Sequence, residues 1–568
     1  MLAGIGAALI GLAWLLPGHY FPWLTFQQEF AAALGAVLIG LDVLVRCPRV
    51  HWTAPSYVAL IAAAVPLIQF GFGQIHYLSD AAMASGYLAG FALCIVAGAT
   101  LGRLDAALLD ALTYSAVAAS IVCVGMALTQ WLQLPPTGWI DPLRFGGRPY
   151  ANVGQPNNLA SIIAIGMICL LRCFELRRIG GVTLLLGACY LGLGMVLTQS
   201  RTGWLVFALC VAWLTLGRKA PMRLHAAALA GALATFSGLM FLWGSVNEAI
   251  ELAGPGEVSA RLSGGTRPVH WVAMWDAALR HPWTGFGWTQ VTQAHLEVAL
   301  DHPYTGEQLT NSHNLFLDLL VWNGIPIGAL LIAAMVFWIV RQVLICRATD
   351  HAIALCIVIA VGTHALLEFP LDYAFFLLPL GLWVGLIDAQ SSPFRERTSA
   401  RWVFAVPLAA LAALQLRVGI EYLRVEEAGR TLRFVVFGIG LDKVPTAPEP
   451  EVWLLDRSRH FHRYMLSRAA PNLTLEERQW IERVAQRNPS PSSLFRLAVV
   501  QGINGEPEAS ARTLARLCWV QAPPVCAAAR DEWLTMQERF PLLKAVSPPP
   551  MPGTQPNTPS SNMKKSAS

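Results

Sequence analysis

Charge is scarce in this chain of 568 residues. Asp, Glu, Lys and Arg make up 13% of it, about half the share of an ordinary soluble domain, and apolar residues make up 55%. A water-soluble globular protein is excluded on those grounds alone. Compact metal-ligand spacing is missing: His295, His302 and His313 share a segment with Asp301, but nothing of the HExxH kind occurs, so no metal and no other cofactor is expected. Walker, dinucleotide and GxSxG signatures are missing too, which argues against an ATP-driven pump or a serine hydrolase. Of eleven cysteines, the nine from Cys47 to Cys356 lie in or beside apolar runs without ligand spacing and read as small apolar residues. The net charge of +5 is small and is accounted for by loops, so it gives no case for nucleic acid. The first apolar segment has neither a basic n-region nor a small-residue cleavage site, and is read as a retained span.

What the chain has is long apolar runs, repeated from the first residue to about Ile420. They predict about thirteen spans, near 2–16, 29–45, 55–74, 80–101, 106–132, 158–174, 179–199, 203–217, 224–246, 314–340, 351–367, 372–388 and 402–419. The expected fold is therefore all-α, a polytopic helical membrane protein surrounded by membrane lipid. With the N-terminus inside, Arg46, Arg49, Arg103, Arg172, Arg177, Arg178, Arg218, Lys219, Arg223, Arg341, Arg347, Arg395, Arg397 and Arg401 all fall on the cytoplasmic side. The outward arginines are then few: Arg144, Arg148, Arg201, Arg261, Arg267 and Arg280. The spans and their loops form a first domain, 1–420, whose largest outward loop is 247–313; residues 421–545 are soluble in composition and helix-patterned, and a Pro/Ser-rich tail, 546–568, is expected to be disordered. Ser493 to Leu517 has the apolar spacing of a TPR-like helix pair. Cys518 and Cys526, flanking Pro523-Pro524 in an oxidising compartment, are expected to form a disulfide.

Chemistry is sought among the outward polar groups. Arg201, after Leu197-Thr-Gln-Ser at a reversal between two spans, is either a snorkelling anchor or a phosphate ligand. Arg267 precedes Pro268 and is expected at the N-cap of a helix, 268–280, whose apolar face (Trp271, Met274, Trp275, Ala278, Leu279) would lie in the membrane interface. That helix start and Arg267 make an anion site; the alternative is an ordinary amphipathic lid. His313 opens the tenth span, where a helix N-terminus favours neutral imidazole, able to accept a proton from a hydroxyl; a plain cap is the alternative. Gln155 and Asn157 enter the sixth span in Gly154-Gln-Pro-Asn-Asn158, and Leu367-Glu-Phe-Pro-Leu-Asp-Tyr373 carries Glu368, Asp372 and Tyr373, with aromatic anchoring and a solvated carboxylate as the bland readings. His364, within an apolar run, reads as a hydrogen-bonded core residue.

The order of these pieces resembles the O-antigen ligase and polymerase superfamily: Thr198-Gln-Ser-Arg-Thr-Gly-Trp204, then Arg267, Trp271, Pro282 and Gly285-Phe-Gly287, then Ser312-His-Asn-Leu-Phe-Leu317 with Gly324-Ile-Pro326. Within it the chain is most similar to the PglL-type protein O-oligosaccharyltransferases, on Gly154-Gln-Pro-Asn-Asn158, His364 with Glu368-Phe-Pro-Leu-Asp-Tyr373, and an outward C-terminal helical domain. The family pattern often has Glu-Tyr-Pro-Leu where this chain has Glu368-Phe-Pro-Leu371. The resemblance implies a GT-C-like enzyme of the bacterial inner membrane that moves a preassembled glycan from undecaprenyl diphosphate to Ser or Thr of a periplasmic protein such as pilin. It implies Arg201 and Arg267 as a diphosphate clamp, His313 as base, and Gln155, Asn157, Glu368 and Tyr373, with Arg144 and Arg148, around the substrates. A lipid A-core ligase and a repeat-unit polymerase share that donor chemistry and remain alternatives, as, more remotely, does a non-enzymatic transporter of lipid-linked glycan.

Overall fold

The computed structural model describes residues 1–135, 137–144, 146–217, 221–249, 265–391, 397–438, 447–549 and 551. A helix occupies every one of the thirteen apolar segments. They are α1 (Leu2–Ala13), α2 (Phe26–Arg46), α3 (Ala54–Gly71), α4 (Leu78–Leu104), α5 (Ala107–Trp131), α6 (Pro156–Glu175), α7 (Gly181–Thr198), α8 (Arg201–Ala212, continued by a π turn Trp213–Gly217) and α9 (Ala226–Ala249). The series resumes with α12 (Leu315–Ile345), α13 (Thr349–Ala365), α14 (Ala374–Gln390) and α15 (Arg401–Val436), after α10 (Arg267–Arg280) and α11 (Val291–Val298) in the long loop. Nine of the thirteen are long and apolar enough to cross a membrane, and α1, α8 with its π turn, α13 and α14 are shorter. The chain is a polytopic helical membrane protein. Its all-α character has one departure among the described residues, a two-stranded antiparallel ribbon pairing β1 (Arg49–Trp52) with β2 (Arg397–Ala400).

The main core is shared by α1 to α9 and α13 to α15. A second core joins Ala273, Met274, Ala277 and Ala278 of α10 to Val291 and Ala294 of α11 and to Leu319, Val321 and Trp322 of α12. No periodicity announces α11, because eight residues make only two turns. The face expected to lie in the membrane interface is divided: Met274 and Ala278 are buried against α12, and only Trp275 and Leu279, with Val272, stay exposed. Arg261 and residues 552–568 of the tail lie outside the described residues.

What fixes the loop to the bundle is a break in α12. Gly324 has φ +75° and Pro326 lacks an N–H, so the carbonyls of Val321 and Trp322 lose their helical donors. The Pro282 to Gly287 turn supplies replacements: Phe286 N–H donates to Val321 O at 2.7 Å, Gly287 N–H to Trp322 O at 3.0 Å, and Ile325 N–H donates back to Pro282 O at 2.7 Å. On α3, the Gln69 amide donates to Trp322 O at 2.9 Å and accepts from Trp288 N–H at 3.0 Å. Gly285, at φ +67°, sits where a Cβ would come within 2.5 Å of Gly324 N and Val321 O. Only a glycine admits both the dihedral and the approach.

α15 runs unbroken past Ile420 and is followed by α16 (Asp456–Leu466), α17 (Leu475–Arg487), α18 (Pro491–Ile503), α19 (Pro507–Trp519) and α20 (Pro523–Arg539). α18 and α19 form the helix pair over 493–517. Cys518 and Cys526 are joined, with Cα atoms 4.7 Å apart, and pack with Leu494 and Leu517 against Leu296 and Ala299 of the loop. Arg457 and Arg487 pair with Asp80 at the head of α4, at 3.0 and 2.7 Å. The C-terminal helices thus brace the long loop and the bundle together.

Candidate active site

Four elements converge on one carboxylate. Glu368, in the turn between α13 and α14, is 5% exposed. Its Oε1 accepts from Asn157 Nδ2 at 2.9 Å and from the Arg267 guanidinium, and its Oε2 accepts from His313 Nδ1 at 2.7 Å. Burial pushes the Glu368 carboxyl up, but the His313 hydrogen bond and the Arg267 charge outweigh it and hold it below the usual carboxylate range. A carboxylate can only accept, so Nδ1 of His313 carries the hydrogen, and in the neutral ring Nε2 keeps the lone pair. This carboxylate, rather than a helix N-terminus, is the group at hydrogen-bond distance from the imidazole: the cap of α12 is Asn314, whose side chain accepts from Phe316 and Leu317 N–H. His313 itself is held at φ +56°, in the left-handed region that a residue with a Cβ seldom occupies.

Arg267 is the first residue of α10, one place later than expected; the cap position belongs to Thr266, whose hydroxyl donates to Glu307 at 2.8 Å. Proline tolerates the second helical position as readily as the first, because both amides lack helical acceptors. Trp271 Nε1 donates to Ser312 O at 3.1 Å and so pins α10 beside the residue preceding His313. On the other side, Ser200 caps α8, accepting from Gly203 N–H at 2.9 Å and donating to Asn157 Oδ1 at 2.7 Å. Arg201, exposed at the first position of α8, is therefore one residue and two hydrogen bonds from Glu368.

The other expected residues fall at graded distances from this centre. Gln155 caps α6 two residues before Asn157, its side chain 3.5 Å from Asn158 Oδ1. Tyr373 caps α14; its ring lies 6.2 Å from Phe369, which packs edge-on against His313 at 5.2 Å. Asp372 accepts from Asn311 Nδ2 at 2.6 Å. Arg148 donates to Gln199 O at 3.3 Å, beside the Arg201 turn, whereas Arg144 is exposed and shares no hydrogen bond with the Glu368 cluster among the described residues. Arg280 is taken up by Asp276 and Asp301 at 2.8 and 2.7 Å. His364 is buried and shares a 2.8 Å hydrogen bond with Ser161. Among the described residues no three His, Cys, Asp or Glu side chains come together as a metal site.

Residues 182–333 match the O-antigen ligase family model and residues 352–522 match that of the virulence factor membrane-bound polymerase C-terminal region. The chain is 32% identical over 539 residues to a general O-oligosaccharyltransferase of Acinetobacter baylyi, covering 91% of this chain and 92% of that one. It is 25% identical over 398 residues to a ComP-specific O-oligosaccharyltransferase of the same organism, covering 68% and 71%. The chain belongs to the PglL-type O-oligosaccharyltransferases.

It is thus a glycosyltransferase of O-linked protein glycosylation. The O-antigen ligase match runs from α7 through Arg201, Arg267 and His313, and the second begins in α13 just ahead of Glu368, so the Glu368 cluster spans the boundary between the two matches. Sequence reasoning missed Ser200 as a bridge, although Ser before a helix start with Gly203 three residues on is a cap signal. It also ranked Glu368 among the peripheral groups, where the structure puts it at the centre.

Proposed function

We propose that this oligosaccharyltransferase moves a preassembled glycan from undecaprenyl diphosphate to a Ser or Thr hydroxyl of a pilin-like periplasmic acceptor. Its helices would cross a bacterial inner membrane thirteen times, with the Glu368 face and residues 421–545 on the periplasmic side. The observation that carries this reading is the meeting of His313 and Arg267 on the buried Glu368 carboxylate. In the reaction, Nε2 of His313 takes the acceptor's hydroxyl proton while the oxygen attacks the anomeric carbon. The bond from that carbon to the diphosphate breaks with its electron pair passing to the phosphate oxygen, and attack opposite the leaving group inverts the configuration. Arg201 and the N–H groups of Arg267 left free by Glu368 offset the charge that develops on the diphosphate, so no metal is required. Gln155 and Tyr373 flank this centre and are assigned to placing the acceptor or the glycan.

The test is transfer by purified enzyme from a lipid-diphosphate oligosaccharide to pilin in the presence of EDTA, with His313→Ala, Arg201→Ala and Arg267→Ala at matched expression. Glycosylated pilin from the wild type and loss in all three variants is expected. Unmodified pilin alongside extended lipid A-core or polymerised repeat units would overturn the acceptor assignment.

A further inference from the structure

A mostly apolar groove of about 1200 Å³ reaches Leu315 and Asp372 beside the site and is not used by the chemistry above. Its lining runs from Leu371 and Asp372, just before α14, to Asp388 and Ser391 at the other end of that helix, so it follows the whole length of an apolar helix. Along α15 it continues to Val436 and Phe437, and across from them to Phe461 and Met465 of α16. We propose that this groove docks the acceptor, and that its occupant is a single apolar helix of a membrane-anchored acceptor that continues out of the bilayer beside α15.

Two observations choose that occupant over a lipid chain. The first is length. Arg417, Glu421 and Arg424 end the apolar stretch of α15 near Ile420. Phe437 lies 17 residues farther, about 25 Å, while the headgroup layer is only roughly 5–8 Å deep. An isoprenoid or acyl chain stops at the headgroups and would leave that upper stretch bare, and Phe437 and Phe21 on its rim are 73% and 68% exposed. A helix leaving the membrane covers both levels. The second is position. Among the described residues the lining includes none of Arg201, Arg267, Asn157 or Gln155, the side assigned to the diphosphate. His313 is not part of the lining either, but Leu315, two residues after it, and Asp372, four after Glu368, are, so the groove reaches the site beside the proposed base. The inference rests on the proposed role of His313 in accepting the acceptor's proton.

The experiment places a photoreactive benzophenone residue at Met335, at bilayer depth, or at Met465, above it, in the full-length enzyme in lipid nanodiscs. The probes are a lipid-diphosphate oligosaccharide and an acceptor with or without its apolar helix. Crosslinks from both positions to the intact acceptor are expected, including in a His313→Ala background where no transfer is needed. Transfer to the acceptor lacking its helix should fall at least 30-fold. Ala84→Trp and Ala334→Phe, which fill the groove away from the site, should raise KM for the intact acceptor while donor hydrolysis by water stays unchanged. Crosslinks to lipid alone at Met335 with none at Met465, or equal transfer to the two acceptors, would overturn the proposal. Acceptor crosslinks without any transfer would instead refute the proposed reaction and leave the docking groove standing.

Discussion

Replacing Glu368 by Gln tests the centre with the least change of shape. The carboxylate serves three donors, Asn157 and Arg267 on one oxygen and His313 on the other. An amide has one accepting oxygen and one donating nitrogen. If its nitrogen faced Asn157 and Arg267, two donors would meet a third, one of them a cation, so the oxygen stays there and the NH2 turns to His313. Nδ1 must then accept, the ring hydrogen moves to Nε2, and the imidazole can no longer take a proton from the acceptor. General-base help contributes on the order of 10² to 10⁴ in rate, so single-turnover transfer should fall by about 10³, or about 4 kcal/mol of transition-state stabilisation. KM for the donor should change less than about threefold, because Arg267 keeps its charge. The assay is quenched-flow transfer followed by mass spectrometry of the acceptor, with thermal unfolding in detergent to establish that the fold is intact. A Glu368→Gln enzyme with an unshifted melting temperature and more than a tenth of the wild-type rate would refute the tautomer reasoning.

Burial, then the neighbouring His270 and His302, pull the His295 pKa down from 6.5 to about 4, and its Nδ1 accepts from Leu309 N–H at 3.2 Å. Because the folded value is the depressed one, its contribution is complete above about pH 6.5 and is lost as pH falls towards 4, a decline of roughly 3 kcal/mol. Hydrogen exchange of the 265–313 segment across that window should show the decline, and His295→Gln should flatten it. Gly285→Ala forces a Cβ within 2.5 Å of two backbone atoms at φ +67° and should destabilise the loop by about 2–3 kcal/mol or more, read as faster limited proteolysis between α10 and α12. Cys518→Ser with Cys526→Ser opens a link spanning eight positions and should lower stability by about 2–3 kcal/mol, seen as a lower melting temperature that matches that of the reduced wild type.

The bundle was legible because hydrocarbon demands long apolar runs and helices that satisfy their own backbone, and both leave a mark in local composition. The ends of α2 and α4 fall within three residues of the expected spans for that reason, whereas the expected tenth span is broken at Gly324. The site was legible only as a set of names. His313, Arg267 and Asn157 meet Glu368 across 55, 101 and 211 positions of sequence, and no periodicity encodes such a meeting. Glu368 was placed around the substrates by the resemblance, with a solvated charge as the alternative, because nothing local announces that a turn will be buried. Gln69 was missed for a different reason: its partner is a carbonyl orphaned by Pro326, and the signal was the Gly324-Ile-Pro326 break, which implies that some donor elsewhere must answer it.

The break in α12 has a consequence for how this protein can vary. α10 and the first half of α12 run side by side in the same direction, tied at Trp271 to Ser312 and again at Pro282 to Ile325. One residue added to or deleted from either helix between those ties would turn everything beyond it by about 100° and shift it by about 1.5 Å, moving Arg267 or His313 off the shared carboxylate. Between Thr289 and Thr310 the chain returns through α11, which packs Val291 and Ala294 into the second core and Leu296 against the C-terminal helices. The distance from Trp271 to Pro282 is therefore expected to stay constant from one relative to the next, with length changes falling in loops outside these ties.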